Sequence, residues 1–241
     1  EWGDIRRHLT KYGEDRMIAG DYKAYDKRMP AMMILAAFEV IINLYKTAGL
    51  SVEDELIMRC IASDVAFPVV NFNGDLMQFS GSNPSGHPLT VQVNSLANSL
   101  YMRYCWRELG GVLSSFTSNV ALITYGDDNA IGVKAGNGFF NHTSISETLL
   151  DVDITYTMAD KDAVSRPYIS MQEVSFLKRE WVYDDEIKDY MCPLDKSSID
   201  KMIMWRVEST SITESQQLAG QVRSAHNELF FRGRLEFDRV D

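Results

Sequence analysis

The sequence predicts an α+β chain in which helices alternate with β-hairpins, and three observations lead to that class. Asn73-Gly74 sits between two strand-like runs in "VAFPVVNFNGDLMQF", a strong hairpin signal because both residue types tolerate positive φ. The apolar runs "VALI" and "IGV" flank the turn of "TYGDDNA", residues 124–130. Two helical patterns complete the picture, one opened by Pro30 and one amphipathic from about Leu89 to Leu109.

Taken in order, "RMIAGDY" (16–22) reads as a short strand. The pattern from Pro30 to about Lys46 places proline at the first turn and Gly49 just past the end, the usual asymmetry of a helix. The Asn73-Gly74 hairpin follows, then the loop "SGSNPSGHP", then the long helix, which Gly110-Gly111 ends. "VALITYGDDNAIGVKA" is a second hairpin. "FFNHTSISETLLDV" reads as a helix, "ITYTMADK" as a strand leading into a loop, and "EVSFLKREWVYDDEIKDYM" as one more hairpin. From Ser198 the pattern is helical again.

The chain has 241 residues, enough for one large domain or parts of two, with no repeat or low-complexity tract. Its longest apolar run, "MPAMMILAAFEVIINLY", is broken by Glu39 and Asn43 and falls short of a membrane span. Cys60, Cys105 and Cys192 show no paired spacing and the four histidines are scattered, so neither a disulfide framework nor a zinc site is expected and a reducing compartment is the default. There is no initiator methionine or signal peptide, which suggests a segment of something longer. The net charge of −10, taken alone, argues against nucleic acid, whose phosphates call for a basic face.

The chemistry concentrates at Asp127 and Asp128. Two carboxylates about 4 Å apart repel by roughly 4 kcal/mol at an effective dielectric near 20, so a tight turn carrying both asks for a cation. Asp21 ends another strand, and Asp26 follows it in "DYKAYD". Carboxylates delivered from two strand ends can hold two divalent ions about 4 Å apart, the arrangement that clamps attacking and leaving oxygens in phosphoryl transfer. In "SGSNPSGHPLTVQVN" small residues permit close backbone approach, and Thr90 and Asn94, spaced i, i+4, face one way from the helix, where they can read a ligand hydroxyl or simply cap the loop.

These stretches, in this order, resemble the RNA-dependent RNA polymerases of picornavirus-like positive-strand RNA viruses, of the order Picornavirales. "GDYKAYD" resembles the family's motif A, "SGSNPSGHPLTVQVN" motif B, "YGDDN" motif C, "TMADK" motif D and "VSFLKRE" motif E. The resemblance implies a right-hand polymerase palm, an antiparallel sheet backed by helices, with part of the fingers and the start of the thumb. On that scheme 1–46 and 81–190 are palm, 47–80 a fingers insertion, and 191–241 the start of the thumb.

The roles the resemblance implies follow position by position. Asp21 and Asp127 would be the principal ligands of two Mg²⁺ ions, which Mn²⁺ can replace, with Asp128 beside them and the backbone carbonyl of Tyr22 assisting. Asp26 would sense the ribose 2′-hydroxyl, supported by Thr90 and Asn94, with Ser85 and Gly86 in the adjoining loop near the nucleotide. Lys161 would protonate departing pyrophosphate, and Lys178 and Arg179 would grip the primer strand. The implied partners are an RNA template and primer, ribonucleoside triphosphates, a protein primer and other viral replication proteins. The implied location is the host cytoplasm, in membrane-associated replication complexes. The acidic balance then belongs to the catalytic segment, and the basic channel to parts upstream and downstream.

Two other readings share some of these features. A reverse transcriptase also carries paired aspartates, but places a bulky aromatic where Asp26 stands. A non-catalytic RNA-binding relic would have no chemical reason to retain Asp21, Asp127, Asp128 and Lys161. "GVKAGNG" has the wrong glycine spacing for dinucleotide binding, and "NHT" at Asn141 has the form of a glycosylation sequon by chance.

Overall fold

In the computed structural model, which describes residues 1–160 and 163–238, helices and strands alternate along the chain. The first half comprises α1 (Trp2–Leu9), β1 (Met17–Tyr22), α2 (Tyr25–Arg28), α3 (Ala31–Thr47), α4 (Val52–Ala66), β2 (Val69–Phe72), β3 (Asp75–Gln78) and α5 (Thr90–Glu108). The second comprises α6 (Phe116–Asn119), β4 (Val120–Tyr125), β5 (Asp128–Val133), α7 (His142–Leu150), β6 (Tyr156–Met158), β7 (Val182–Asp184), β8 (Asp189–Met191), α8 (Lys196–Met204), α9 (Glu214–Leu229) and α10 (Arg234–Phe237).

The central sheet has the order β4-β5-β1-β6, and its pairings are antiparallel. Side chains alternate between faces along a strand. In β1, Ile18 and Tyr22 face the helices, where they pack with Ile34 and Phe38 of α3, Val93 and Met102 of α5, and Ile145 of α7. Met17 and Ala19 face the other way, onto Leu9, Met158, Ile169 and Phe176. Both faces are therefore covered, which is why "VALI" and "AIGV" are nearly continuous apolar runs. On α3 the inward stripe Ile34, Phe38, Ile42 is spaced by four residues and is 0–2% exposed. Burial of each such side chain contributes about 1.5–3 kcal/mol.

Glycine is required at two places in the sheet by close approach. A Cβ on Gly20 would lie 2.1 Å from the Tyr156 ring, and one on Gly132 would lie 2.0 Å from the carbonyl oxygen of Leu9, where α1 docks on β5. The Asn73-Gly74 turn has both residues at positive φ, 54° and 104°, as the hairpin reading requires.

Three local readings change. Residues 52–66, unassigned up to 64 and read as strand from Val65, form α4, whose N-cap Ser51 accepts a hydrogen bond from the Asp54 amide. The amino-terminal helix α1 lies outside the elements read from the pattern. The stretch from Glu173 to Met191 makes two reversals instead of one hairpin. Phe176 and Arg179 exchange backbone hydrogen bonds of 3.0 Å around Leu177 and Lys178, both left-handed, before the β7–β8 hairpin. Asn141 of the "NHT" sequence is the N-cap of α7, in a reciprocal capping box with Ser144. Among the described residues no helix is long and apolar enough to cross a membrane.

Candidate active site

Antiparallel pairing of β1 with β5 brings the two aspartate-bearing ends together. Gly20 lies opposite Asn129, so Asp21, one residue on, comes level with Asp128, one residue back. The β4–β5 turn is closed by Tyr125 opposite Asp128, with Gly126 at φ +62° and Asp127 as its two central residues. The alternation that sends Tyr22 and Asn129 towards the helices sends Asp21 and Asp128 to the opposite face.

These residues open onto a cleft of about 550 Å³ lined by Asp21, Asp26, Asp127, Asp128, Lys27 and Lys178, together with Tyr22, Ala24 and Tyr25. Burial raises the carboxyl pKa of Asp127, and the charges of Asp21 and Asp26 raise it further. Asp128 is raised by burial and by Asp127 and Asp21, partly offset by the Lys178 ammonium and the Leu177 amide. Both acids thus hold their negative charge at a cost that a cation would relieve.

The donor set fits a hard divalent ion, since every candidate ligand is a carboxylate or carbonyl oxygen. Among the described residues no three His, Cys, Asp or Glu side chains close on a single point, so the acids surround the cleft without forming a preformed cage.

Asp26 is set by a second group of contacts. Ala24, left-handed at φ 56°, turns the chain out of β1 into α2. Asn94 Nδ2 donates to Asp26 Oδ1 at 2.5 Å, while its own Oδ1 accepts from Asn83 Nδ2 at 2.7 Å. The Asp26 carbonyl accepts from the Asn83 amide at 2.9 Å, which ties the glycine-rich loop to α2. The Tyr25 hydroxyl adds a bond to the Asn94 carbonyl at 2.9 Å.

The other sequence candidates fall in different places. Thr90 Oγ1 donates to the carbonyls of Pro84 and His87 at 2.8 and 2.7 Å, so its hydroxyl closes the loop rather than reaching Asp26. Ser85 and Gly86 are exposed at the loop's crest, outside the residues lining the cleft, and Gly86 has φ +101°. Lys178 lines the cleft beside the aspartates. Arg179 is held instead by Glu228, at 2.8 and 2.9 Å, and by the Cys192 carbonyl at 2.8 Å. Lys161 lies outside the described residues.

Sequence reasoning missed three buried asparagines, Asn83, Asn98 and Asn129, that are 0–2% exposed. Asn98 was within reach, because it continues the four-residue spacing of Thr90 and Asn94 along α5.

The family model for viral RNA-dependent RNA polymerase matches residues 1–239. The chain is 28% identical over its whole length to the replicase polyproteins of Cricket paralysis virus and Drosophila C virus, and covers 14% of each. It is 27% identical to the RNA1 polyprotein of Satsuma dwarf virus over 92% of its length, covering 11% of that relative. It thus spans about a seventh or less of these curated relatives. With a match that runs through nearly all of its residues, the chain belongs to the viral RNA-dependent RNA polymerase family.

Proposed function

We propose that this chain is the catalytic segment of an enzyme that synthesises RNA on an RNA template from ribonucleoside triphosphates during viral genome replication. The observation that carries the reading is the convergence of Asp21, Asp127 and Asp128 on one cleft with the Asp26–Asn94 pair at its side. In this reading the central sheet with α3, α5 and α7 is the palm, 47–80 a fingers insertion and 191–241 the start of the thumb.

The residues divide the work by position. Asp21 and Asp127, with Asp128 and the Tyr22 carbonyl, would hold two Mg²⁺ ions, or Mn²⁺ in their place. When bound, such ions supply Lewis-acid stabilisation of the attacking and leaving oxygens. Asp26, held by Asn94, would accept a hydrogen bond from the ribose 2′-hydroxyl, with Thr90 bracing the loop and Ser85 and Gly86 bordering the nucleotide. Lys161 would deliver a proton to departing pyrophosphate, a role that general acids fill with rate gains of about 10²–10⁴. Lys178 would meet the primer end at the cleft, and Arg179, tied to Glu228, would anchor that turn to α9. Template, primer, a protein primer and other replication proteins would be the partners, in membrane-associated complexes of the host cytoplasm.

Primer extension by the complete enzyme tests this reading and separates it from its rivals. On an RNA template-primer with Mg²⁺, ribonucleotides should be incorporated well ahead of deoxynucleotides. A preference for deoxynucleotides would make the protein a reverse transcriptase, and absence of extension would make it a binding module.

A further inference from the structure

Beneath the acidic cleft lies a side-chain network centred on Asn98 of α5, which is 0% exposed. Its Nδ2 faces the carbonyls of three consecutive residues, Gly126 at 3.2 Å, Asp127 at 2.9 Å and Asp128 at 3.3 Å. Its Oδ1 accepts from the Tyr22 hydroxyl at 3.0 Å and from Asn129 Nδ2 at 3.4 Å. The Tyr156 hydroxyl, whose ring crosses the face of Gly20, donates to Asn129 Oδ1 at 2.7 Å. Ser95, on the same helix, accepts from the Gly126 amide at 2.8 Å.

Each contact of Asn98 lands within one residue of an aspartate of the cleft. Tyr22 follows Asp21, Asn129 follows Asp128, and the Asp127 and Asp128 carbonyls are bonded directly. A carboxamide suits the position because it presents a donor to the turn and an acceptor to Tyr22 and Asn129 at once. A carboxylate would set like partial charges against the turn carbonyls, and an apolar side chain would remove the donor that Asn98 offers them.

We propose that Asn98 is a positioning residue that fixes the spacing of Asp21, Asp127 and Asp128 from below, and so sets divalent-metal affinity without contacting metal or nucleotide. The proposal rests on the reading of the cleft as a metal-dependent polymerase site. Asp26 hangs on a separate set of contacts, through Asn94 and Asn83, so ribose choice should be independent of Asn98.

The test is Mn²⁺ binding to the complete enzyme, without RNA or nucleotide, followed by water-proton relaxation, with steady-state extension assays alongside. Asn98→Asp keeps the side chain's size and removes its donor, and should weaken Mn²⁺ binding roughly tenfold, the scale of a lost buried hydrogen bond. In extension assays it should raise the Mg²⁺ midpoint and lower kcat, while nucleotide KM at saturating metal and the ribose-to-deoxyribose ratio change less than about twofold. Tyr22→Phe retains the buried ring and drops only the hydroxyl, so it should shift Mn²⁺ affinity in the same direction by less, even if Asn98 variants fail to fold. Wild-type Mn²⁺ affinity in both Asn98→Asp and Tyr22→Phe would overturn the proposal and leave the polymerase reading standing. Mn²⁺ binding that survives Asp127→Asn would remove the metal site itself, and both readings with it.

Discussion

Asp26 and Asn94 meet at 2.5 Å, and in the proposed function that contact is what would set sugar choice at the cleft. A carboxylate oriented by an amide N–H keeps acceptor capacity for a ligand hydroxyl, whereas a deoxynucleotide would leave it desolvated without a partner. Hydrogen bonds to charged groups contribute about 1.5–3 kcal/mol, which corresponds to roughly 10- to 150-fold discrimination. Asp26→Ala in the complete enzyme should therefore lower the ratio of kcat/KM for ATP over 2′-dATP by a factor in that range, and Asn94→Ala should lower it less. An unchanged ratio in Asp26→Ala would dismiss the residue as ribose sensor. Helical spacing showed only that Thr90 and Asn94 face one way; the resemblance implied the link of both to Asp26, and of the two readings left open for Thr90 the structure takes the loop cap. Its hydroxyl closes the loop onto Pro84 and His87, because a first-turn side chain lies within reach of the carbonyls of the turn that precedes the helix.

At the scale of elements, the sheet depends on glycines that admit a neighbour's atoms. Gly20→Ala would drive a methyl into the Tyr156 ring at 2.1 Å, and overpacking of this kind costs about 1–3 kcal/mol. Combining it with Tyr156→Val should cost less than the sum of the two single changes, read as the shortfall in a denaturant double-mutant cycle. Strict additivity would contradict the packing. The short turn at Met171–Glu173 offers a pH test. The Ser170 amide, Arg166 and the Ser170 hydroxyl hold the Glu173 carboxyl below its ordinary value of 4.5, at about 2. A depressed carboxyl stabilises the fold above its unfolded pKa and loses that contribution as pH falls through the folded one. The difference in Tm between wild type and Glu173→Gln should thus be full at neutral pH, shrink below about 4.5 and vanish near 2. A difference independent of pH would exclude the ionic contribution. The sequence revealed β1, α3, α5, the 73–74 hairpin and the Gly-Asp-Asp turn because each carries periodicity and a recognisable stop. It concealed α4, whose Leu56, Ile57 and Ile61 are exposed while Ala62, Val65 and Ala66 are buried, so apolar residues mark no single face. It concealed the reversal at Leu177-Lys178 as well, since two left-handed residues without glycine, asparagine or proline give no turn signal.

For the whole molecule, charge and exposed apolar surface point the same way. The net charge of −10 disfavours RNA binding by these 241 residues alone, so in the proposed function the basic surface comes from outside them. Leu44, Val52 and Leu76 are also 67–87% exposed along α3, α4 and the β2–β3 hairpin, apolar surface that further parts of an enzyme would cover. The isolated 241-residue chain should bind anilinonaphthalene sulfonate strongly and associate with itself, and the complete enzyme should do neither. A dye-silent, monomeric segment would contradict that expectation. The central claim is that the four-carboxylate cleft performs metal-dependent nucleotidyl transfer. Its most direct test is primer extension by the complete enzyme with Mg²⁺, comparing wild type with Asp21→Asn and Asp127→Asn after circular dichroism has shown that both variants fold. Loss of an anionic ligand from a hard-cation site should abolish incorporation in each; near-normal extension by either variant would contradict the claim.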